Sequence, residues 1–127
     1  MTSRQHHEYV DQGTLAAILG VNRSTINRYQ KLGLPFKNGE TGEANFYDLG
    51  LATYWYSGFE ISKQKNVHLT SLECILLSRA FGGGESSFAY YKTKVLSMSD
   101  RFGASREDVA TACGFLSGAG LLPWHRT

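Results

Sequence analysis

Residues 12–31 of the chain, QGTLAAILGVNRSTINRYQK, decide the fold. Their small and apolar residues have the spacing of a helix-turn-helix, in which two short helices meet at a sharp turn. Small Ala16 lies where the two helices touch, and Gly20 can take the left-handed conformation that ends one helix and leads into the next. The apolar residues predicted to fill the corner between the helices are Leu15, Leu19, Val21, Ile26 and Tyr29.

Polar residues cover the other face of the second predicted helix. In a helix-turn-helix this second helix lies in the major groove of DNA, where its early residues meet base edges. Arginine pairs with guanine and asparagine with adenine, while serine, threonine and lysine reach phosphates. The residues of this helix predicted to contact DNA are Asn22, Arg23, Ser24, Thr25, Asn27, Arg28 and Lys31.

Positive charge is concentrated in the same part of the chain. No acidic residue occurs between Asp11 and Glu40, and four basic residues fall in that interval. The interval is therefore strongly positive, although the net charge of the whole chain is only +2. This pattern favours DNA binding over the alternative, a corner of two helices whose charged face is merely solvated or binds another protein.

A short hairpin is predicted after the second helix. Gly33 ends that helix, and Pro35 prevents its continuation. Residues 36–37 (FK) and 44–47 (ANFY) then form two short strands around a turn at residues 38–42 (NGETG). The residues of this wing predicted to contact DNA are Lys37 and Asn38.

A third helix is predicted over residues 49–57, with Asp48 as its N-cap. A helix-turn-helix followed by a hairpin and a further helix is a winged helix-turn-helix. We therefore expect a DNA-binding domain of this type at residues 8–58.

This stretch resembles the N-terminal DNA-binding domain of the small terminase subunit of lambdoid phages, a relative of the MerR-type winged helices. The resemblance rests on LAAILGVNRSTINRYQKLGLP (residues 15–35), on the glycine-rich wing and on FYDLGLATYWY (residues 46–56). It covers residues 10–58, a little under half of the chain. Excisionases and MerR-type regulators share these motifs.

The resemblance implies a role in packaging viral DNA. In that family the second helix and the wing dock on DNA at the packaging start site, and helices after the DNA-binding domain mediate self-association. The implied partners are double-stranded DNA, further copies of the chain (possibly as a ring) and the large terminase subunit, which hydrolyses ATP and cuts DNA. The chain departs from the family at the wing tip, which carries Glu40 and Glu43 in place of a basic cluster.

The second half of the chain, residues 67–122, is predicted to be helical and to follow a polar segment at residues 57–66 that is either a linker or the end of a helix. Thr70 and Glu73 form a capping box that opens its first helix. Three consecutive glycines at residues 82–84 end that helix in a flexible break.

A longer helix is predicted over residues 86–102. Its apolar residues repeat at spacings of three and four, which gives a heptad seam two heptads long. The seam can pack within the chain or against further copies, and the resemblance favours an oligomerisation region. The seam residues are Phe88, Tyr91, Val95, Met98 and Phe102.

The last two predicted helices also have the spacing of a helix-turn-helix. Gly103 corresponds to Gly20 of the first motif, and Ser105 with Asp108 caps the helix that follows. Glu107 and Asp108 would then face phosphates, which repel carboxylates. We therefore expect a packing corner here and no second DNA-binding motif.

The composition limits the classes of protein to which the chain can belong. Hydrophobic residues make up 42% and aromatic residues 13% of the chain, as in a folded globular protein. No apolar run approaches the ~20 residues that cross a bilayer, and the first residues lack the apolar stretch of a signal peptide. Cys74 and Cys113 lie in apolar helical surroundings, so we expect reduced thiols in a cytoplasmic protein, in the host cytoplasm if it is viral.

No pattern of catalysis or cofactor binding is present. FGGGESS (residues 81–87) lacks the lysine of a phosphate loop, and the histidines lack metal-ligand spacing. We therefore expect no enzymatic activity, no cofactor and no metal.

The expected fold is mainly α, with a winged helix-turn-helix followed by a helical oligomerisation region. The expected function is that of the DNA-recognising subunit of a genome-packaging terminase. The alternatives are a winged-helix transcription regulator or excisionase of a phage or mobile element, and a protein–protein adaptor. A closed ring of subunits would indicate a terminase, a dimer would indicate a regulator, and behaviour independent of DNA would indicate an adaptor.

Overall fold

The computed structural model describes residues 8–40 and 44–124 and is mainly helical, as predicted. Within those residues the chain forms six α-helices and one antiparallel sheet of two strands. In chain order the elements are β1 (Tyr9–Asp11), α1 (Gln12–Leu19), α2 (Arg23–Leu32), β2 (Phe46–Asp48), α3 (Leu49–Gln64), α4 (Ser71–Gly82), α5 (Phe88–Ser97) and α6 (Arg106–Gly118). None of these helices is long and apolar enough to cross a bilayer. The chain divides into two compact units, Met1–Thr53 and Tyr54–Thr127, and the boundary falls within α3.

The first unit packs α1 against α2 and against the two strands. The strands run antiparallel, with Tyr9 opposite Asp48 and Asp11 opposite Phe46. Most of the apolar residues predicted to fill the corner are buried. The buried side chains of this unit include Leu15, Ala16, Ile26, Tyr29, Leu34 and Tyr47, whereas Leu19 and Val21 are half-buried.

Gly20 makes the turn between α1 and α2. Its φ of 75° and ψ of 31° are left-handed, as predicted. The N–H of Val21 donates to the carbonyl of Ala16 at 2.9 Å and so closes the last turn of α1. The side chain of Asn22 then caps the first turn of α2. The predicted succession of two helices and a left-handed turn is confirmed.

The strand pairing differs from the predicted hairpin. The predicted strands at residues 36–37 and 44–47 meet at a single bridge, in which Lys37 and Phe46 exchange backbone hydrogen bonds of 2.8 and 3.0 Å. The main partner of β2 is β1, which precedes the helix-turn-helix and was not predicted. A strand of only three residues is too short to show the alternation by which strands are predicted.

The third helix is longer than predicted. It begins after its predicted N-cap, Asp48, and ends at Gln64, so of the two alternatives for residues 57–66 the structure shows the end of a helix for most of the segment. Gly58 lies inside this helix and against the next one. A Cβ atom on Gly58 would stand 1.8 Å from the carbonyl oxygen of Cys74. The missing side chain of Gly58 therefore allows close packing of two backbones.

The capping signals of the second unit are confirmed. Thr70 Oγ1 accepts from the N–H of Glu73 at 3.2 Å, and the Glu73 carboxylate accepts from the N–H of Thr70 at 2.9 Å. Ser105 caps α6 by accepting from the N–H of Asp108 at 3.0 Å. From there α6 packs against both α4 and α5. The fully buried side chains of this unit include Trp55, Leu76, Leu77, Tyr91, Val95, Val109 and Leu116.

The helix predicted over residues 86–102 is shorter in the structure. Regular α5 covers Phe88–Ser97, and hydrogen-bonded turns continue to Gly103, whose φ is 69°. Successive turns keep apolar residues near a spacing of three, so the sequence pattern does not distinguish them from a helix. The N–H of Ala104 donates to the carbonyl of Ser99 at 3.1 Å, as Val21 does to Ala16 in the first turn. The predicted corner between the last two helices is thus present.

The heptad seam lies inside the second unit. Tyr91 and Val95 are 0% exposed, and Phe102 is 7% exposed. The other two seam residues, Phe88 and Met98, are half-buried. Of the two alternatives for the seam, the structure shows packing within the chain. Any surface for self-association therefore has to use other side chains than the centre of this seam.

A buried ion pair holds the loop between α4 and α5. Arg79 Nη2 lies 3.1 Å from Glu85 Oε2, and the two side chains are 8% and 10% exposed. The indole N–H of Trp124 donates to the carbonyl of Glu85 at 3.2 Å. The predicted flexible break at residues 82–84 is therefore anchored, and the missing side chain of Gly83 makes room for the Arg79 guanidinium.

Both cysteines are buried and free. Burial raises the pKa of the Cys74 thiol to about 12, and burial also raises the pKa of Cys113. Both groups therefore stay protonated at neutral pH, where thiols react slowly.

Gly58→Ala should lower the free energy of unfolding, because the new methyl group must push the α4 backbone away. Overpacking of this kind costs about 1–3 kcal/mol. Urea unfolding followed by circular dichroism measures the change.

Gly114→Ala is the matched control, since Gly114 also lies inside a helix but nothing stands within 4 Å of its Cβ position. Alanine there should raise stability by up to about 1 kcal/mol. Two variants that change stability in the same direction would contradict close packing at Gly58.

Candidate nucleic-acid interface

One side of α2 carries four of the nine predicted DNA contacts. Ser24, Asn27, Arg28 and Lys31 recur at spacings of three and four, so they share one face of the helix. All four are exposed. No acidic residue lies in α2, and this face carries the positive charges of Arg28 and Lys31 in the second half of the helix.

Asn22, Ser24 and Thr25 form the cap of α2. Asn22 Oδ1 accepts from the N–H of Thr25 at 2.9 Å, from Ser24 Oγ at 2.7 Å and from Thr25 Oγ1 at 2.9 Å. The hydroxyl groups of Ser24 and Thr25 therefore donate their protons to Asn22 within the end of the helix. The first turn of α2 is thereby held in place, with the positive end of the helix dipole beside it.

Arg23 lies back against α1. A Cβ atom on Gly13 would stand 2.5 Å from Arg23 Nη2 and 3.2 Å from its Cζ, so the guanidinium rests on the first turn of α1. The N–H of Thr14 donates to Asp11 at 2.8 Å and lowers the pKa of the Asp11 carboxyl, and nearby Arg23 adds a smaller effect in the same direction. The structure therefore places the guanidinium of Arg23, an exposed residue, against the first turn of α1.

Two further cations stand over aromatic rings. The guanidinium carbon of Arg28 lies 5.7 Å from the ring centroid of Tyr29, and Lys37 Nζ lies 5.2 Å from that of Tyr9. Such contacts steady a cation without neutralising it. Arg28 and Lys37 both remain exposed. The unpredicted strand β1 thus helps to position a predicted DNA contact.

The structure describes the residues on both sides of the predicted wing tip. Asn38 is exposed, and the N–H of Gly39 donates to Asn45 Oδ1 at 3.3 Å. Residues 41–43, which include the Glu43 noted at the predicted tip, lie outside the described residues. Glu40 is described and exposed.

A polar cleft of about 320 Å³ lies between α2 and residues 44–45, which lead into β2. Four carboxamide side chains and one phenol dominate its lining, and none of these groups is charged. The lining residues are Gln12, Asn27, Gln30, Ala44, Asn45 and Tyr47.

Hydrogen bonds join the carboxamides of the cleft to the rest of the first unit. Gln12 Nε2 donates to Asn27 Oδ1 at 2.7 Å, which links α1 to α2. The Tyr47 hydroxyl donates to Gln30 Oε1, which links β2 to α2. Burial raises the pKa of Tyr47, and a hydrogen bond from the Gln12 side chain opposes that rise. Tyr47 is therefore a neutral donor at physiological pH.

Sequence reasoning found Asn27 but missed Gln12, Gln30, Asn45 and Tyr47. Uncharged amides give no charge pattern, and Tyr47 was assigned only to a wing strand. The one available signal was that Gln12 opens the motif, where its side chain can reach across to the second helix.

Among the described side chains, no group of three or more histidine, cysteine, aspartate or glutamate residues is placed to hold a metal ion. The cleft and the exposed face of α2 offer hydrogen bonds from amides and electrostatic attraction from cations.

Gly20→Val should destabilise the first unit, because a β-branched side chain resists the positive φ of this turn. The position has open space around it, so the cost is one of backbone strain, about 1–3 kcal/mol. Gly20→Asn is the control, since asparagine enters the left-handed region more easily. Thermal unfolding compares them, and equal melting of valine and glycine forms would show that the turn does not need a left-handed residue.

No family model matches the chain, and no curated protein is significantly similar to it.

Proposed function

We propose that this protein binds double-stranded DNA with the first unit, as a winged helix-turn-helix. The contact surface is formed by the exposed face of α2, by Lys37 and Asn38 of the wing, and by the polar cleft. This set is called the recognition surface below.

The observation that carries the proposal is that α2 presents exposed cations beside a cleft lined by uncharged carboxamides. Arg28 and Lys31 are exposed on α2, whereas Asn27 and Gln30 of the same helix line the cleft. Cations attract the phosphate backbone, and carboxamides pair with base edges. DNA presents both kinds of group side by side.

Each part of the recognition surface has a separate task. Lys31, Lys37 and the capped N-terminus of α2 are suited to phosphates, because they offer charge and backbone donors without base selectivity. Arg28 and Asn27 have the side chains that discriminate bases in the major groove. The bridge between Lys37 and Phe46 joins the start of the wing to β2, whose Tyr47 hydroxyl donates to Gln30 of α2.

The biological role that we propose is recognition of viral DNA for packaging, on the resemblance of residues 10–58 to small terminase subunits. In that role the protein acts in the cytoplasm of an infected cell and supplies no catalysis. It assembles with itself and passes DNA to a large subunit with ATPase and nuclease activity. Light scattering separates this role from that of a regulator, since packaging calls for a ring of many subunits and regulation for a dimer.

Arg28→Ala should weaken DNA binding by roughly 1–3 kcal/mol if the guanidinium reads a base, and should lower the salt dependence by about one phosphate contact if it does not. Fluorescence anisotropy with a labelled duplex, repeated over a series of salt concentrations, distinguishes these cases. Thermal unfolding of the variant should match the parent, because Arg28 is exposed.

Lys65→Ala is the control for loss of one exposed positive charge, since Lys65 follows α3 and lies outside the recognition surface. It should change affinity much less than Arg28→Ala. Equal losses from both variants would mean that net charge, and no particular face of α2, governs binding.

A further inference from the structure

Gln12 and Asn27 are fifteen residues apart in sequence, yet their side chains share a hydrogen bond of 2.7 Å. Gln12 stands at the start of α1 and is half-buried, whereas Asn27 is exposed at the middle of α2. We propose, resting on the DNA-binding function above, that Asn27 reads an adenine in the major groove and that Gln12 is the positioning residue that orients its amide.

The direction of this hydrogen bond sets the Asn27 amide. An asparagine amide carries an acceptor oxygen on one branch and a two-proton donor on the other. Because Gln12 Nε2 is the donor, Asn27 must turn Oδ1 towards α1. Turning the Asn27 amide over, with Gln12 unmoved, would bring two donor groups together and lose the bond.

The bond leaves Asn27 able to bind a base. Its oxygen has two lone pairs, and Gln12 occupies one of them. Asn27 makes no other side-chain hydrogen bond to residues 8–40 or 44–124. One lone pair and both N–H protons are therefore available to a ligand.

Adenine matches this arrangement better than guanine does. In the major groove adenine presents a donor at N6 and an acceptor at N7, and an asparagine amide can pair with both at once. Guanine presents acceptors at both N7 and O6. A freely turning amide can direct its donor nitrogen to either base. An amide held by Gln12 keeps its orientation, so opposite guanine its acceptor oxygen would face a second acceptor, which is unfavourable.

Gln12 lines the cleft beside a buried side chain. The neighbouring Tyr47 is 1% exposed, and its hydroxyl donates to Gln30 Oε1. Gln12 itself is half-buried and donates to Asn27 Oδ1. The amide of Asn27 is thus joined to a half-buried partner, so its orientation is set before DNA arrives.

The test is selection of binding sites from a pool of randomised duplexes by the full chain, followed by affinity measurements on the selected site. Each base pair of that site is replaced in turn, for the parent chain, Asn27→Ala, Gln12→Met and Gln12→Ala. Methionine keeps the length of glutamine but has no donor. Gln64→Met is the control, because it makes the same change at an exposed glutamine at the end of α3.

The parent chain should prefer A·T over G·C at one position by about 5- to 150-fold. Asn27→Ala and both Gln12 variants should reduce that preference by at least about threefold, and Gln64→Met should preserve it. Gln64→Met should also leave the affinity for unselected DNA and the thermal midpoint unchanged, because Gln64 is exposed and lies outside the recognition surface.

Three results would overturn the inference in different ways. If Asn27→Ala loses the preference and both Gln12 variants keep it, Gln12 does not position the amide. If all variants keep it, Asn27 does not read the base, although DNA binding by the recognition surface would still stand. If the parent chain binds no DNA in any sequence, the proposed function itself is wrong.

Discussion

The left-handed turn at Gly20 is the constraint on which the first unit depends. It places α2 against α1 with Ile26 and Leu15 fully buried between them. With that face inside, the opposite face of α2 has to be outside. The same turn brings the start of α1 level with the middle of α2, and so allows Gln12 to reach Asn27. Packing of the apolar corner and the composition of the recognition surface are therefore two results of one backbone conformation.

The proposed recognition surface separates charge from hydrogen-bonding groups. Its cations are exposed, and Arg28 and Lys37 stand over aromatic rings, whereas its carboxamides line a cleft and make hydrogen bonds within the first unit. Exposed cations give attraction that salt weakens, and fixed amides give directional contacts that salt affects little. Arg23 belongs to neither group, because its guanidinium lies against Gly13 in the first turn of α1.

Local signals in the sequence were sufficient for the helix starts and for the first turn. Asp48, Thr70 and Ser105 each cap the helix predicted to follow, because a cap bonds a backbone group only three residues away. Features that depend on distant partners were missed. Strand β1 needs β2, the helix around Gly58 needs Cys74 behind it, and Glu85 needs Arg79 to anchor its loop. The Gln12–Asn27 bond belongs to the same class, since no spacing rule pairs two neutral amides across a corner.

The central claim is that DNA contacts the exposed face of α2 and the start of the wing. The most direct test is NMR of the isotope-labelled full chain during titration with a short DNA duplex at low salt. The account predicts that the largest amide shifts fall on Asn27, Arg28, Lys31 and Lys37, together with the side-chain amide of Gln12. Shifts confined to residues 54–127, or spread evenly over all exposed lysines and arginines, would contradict it.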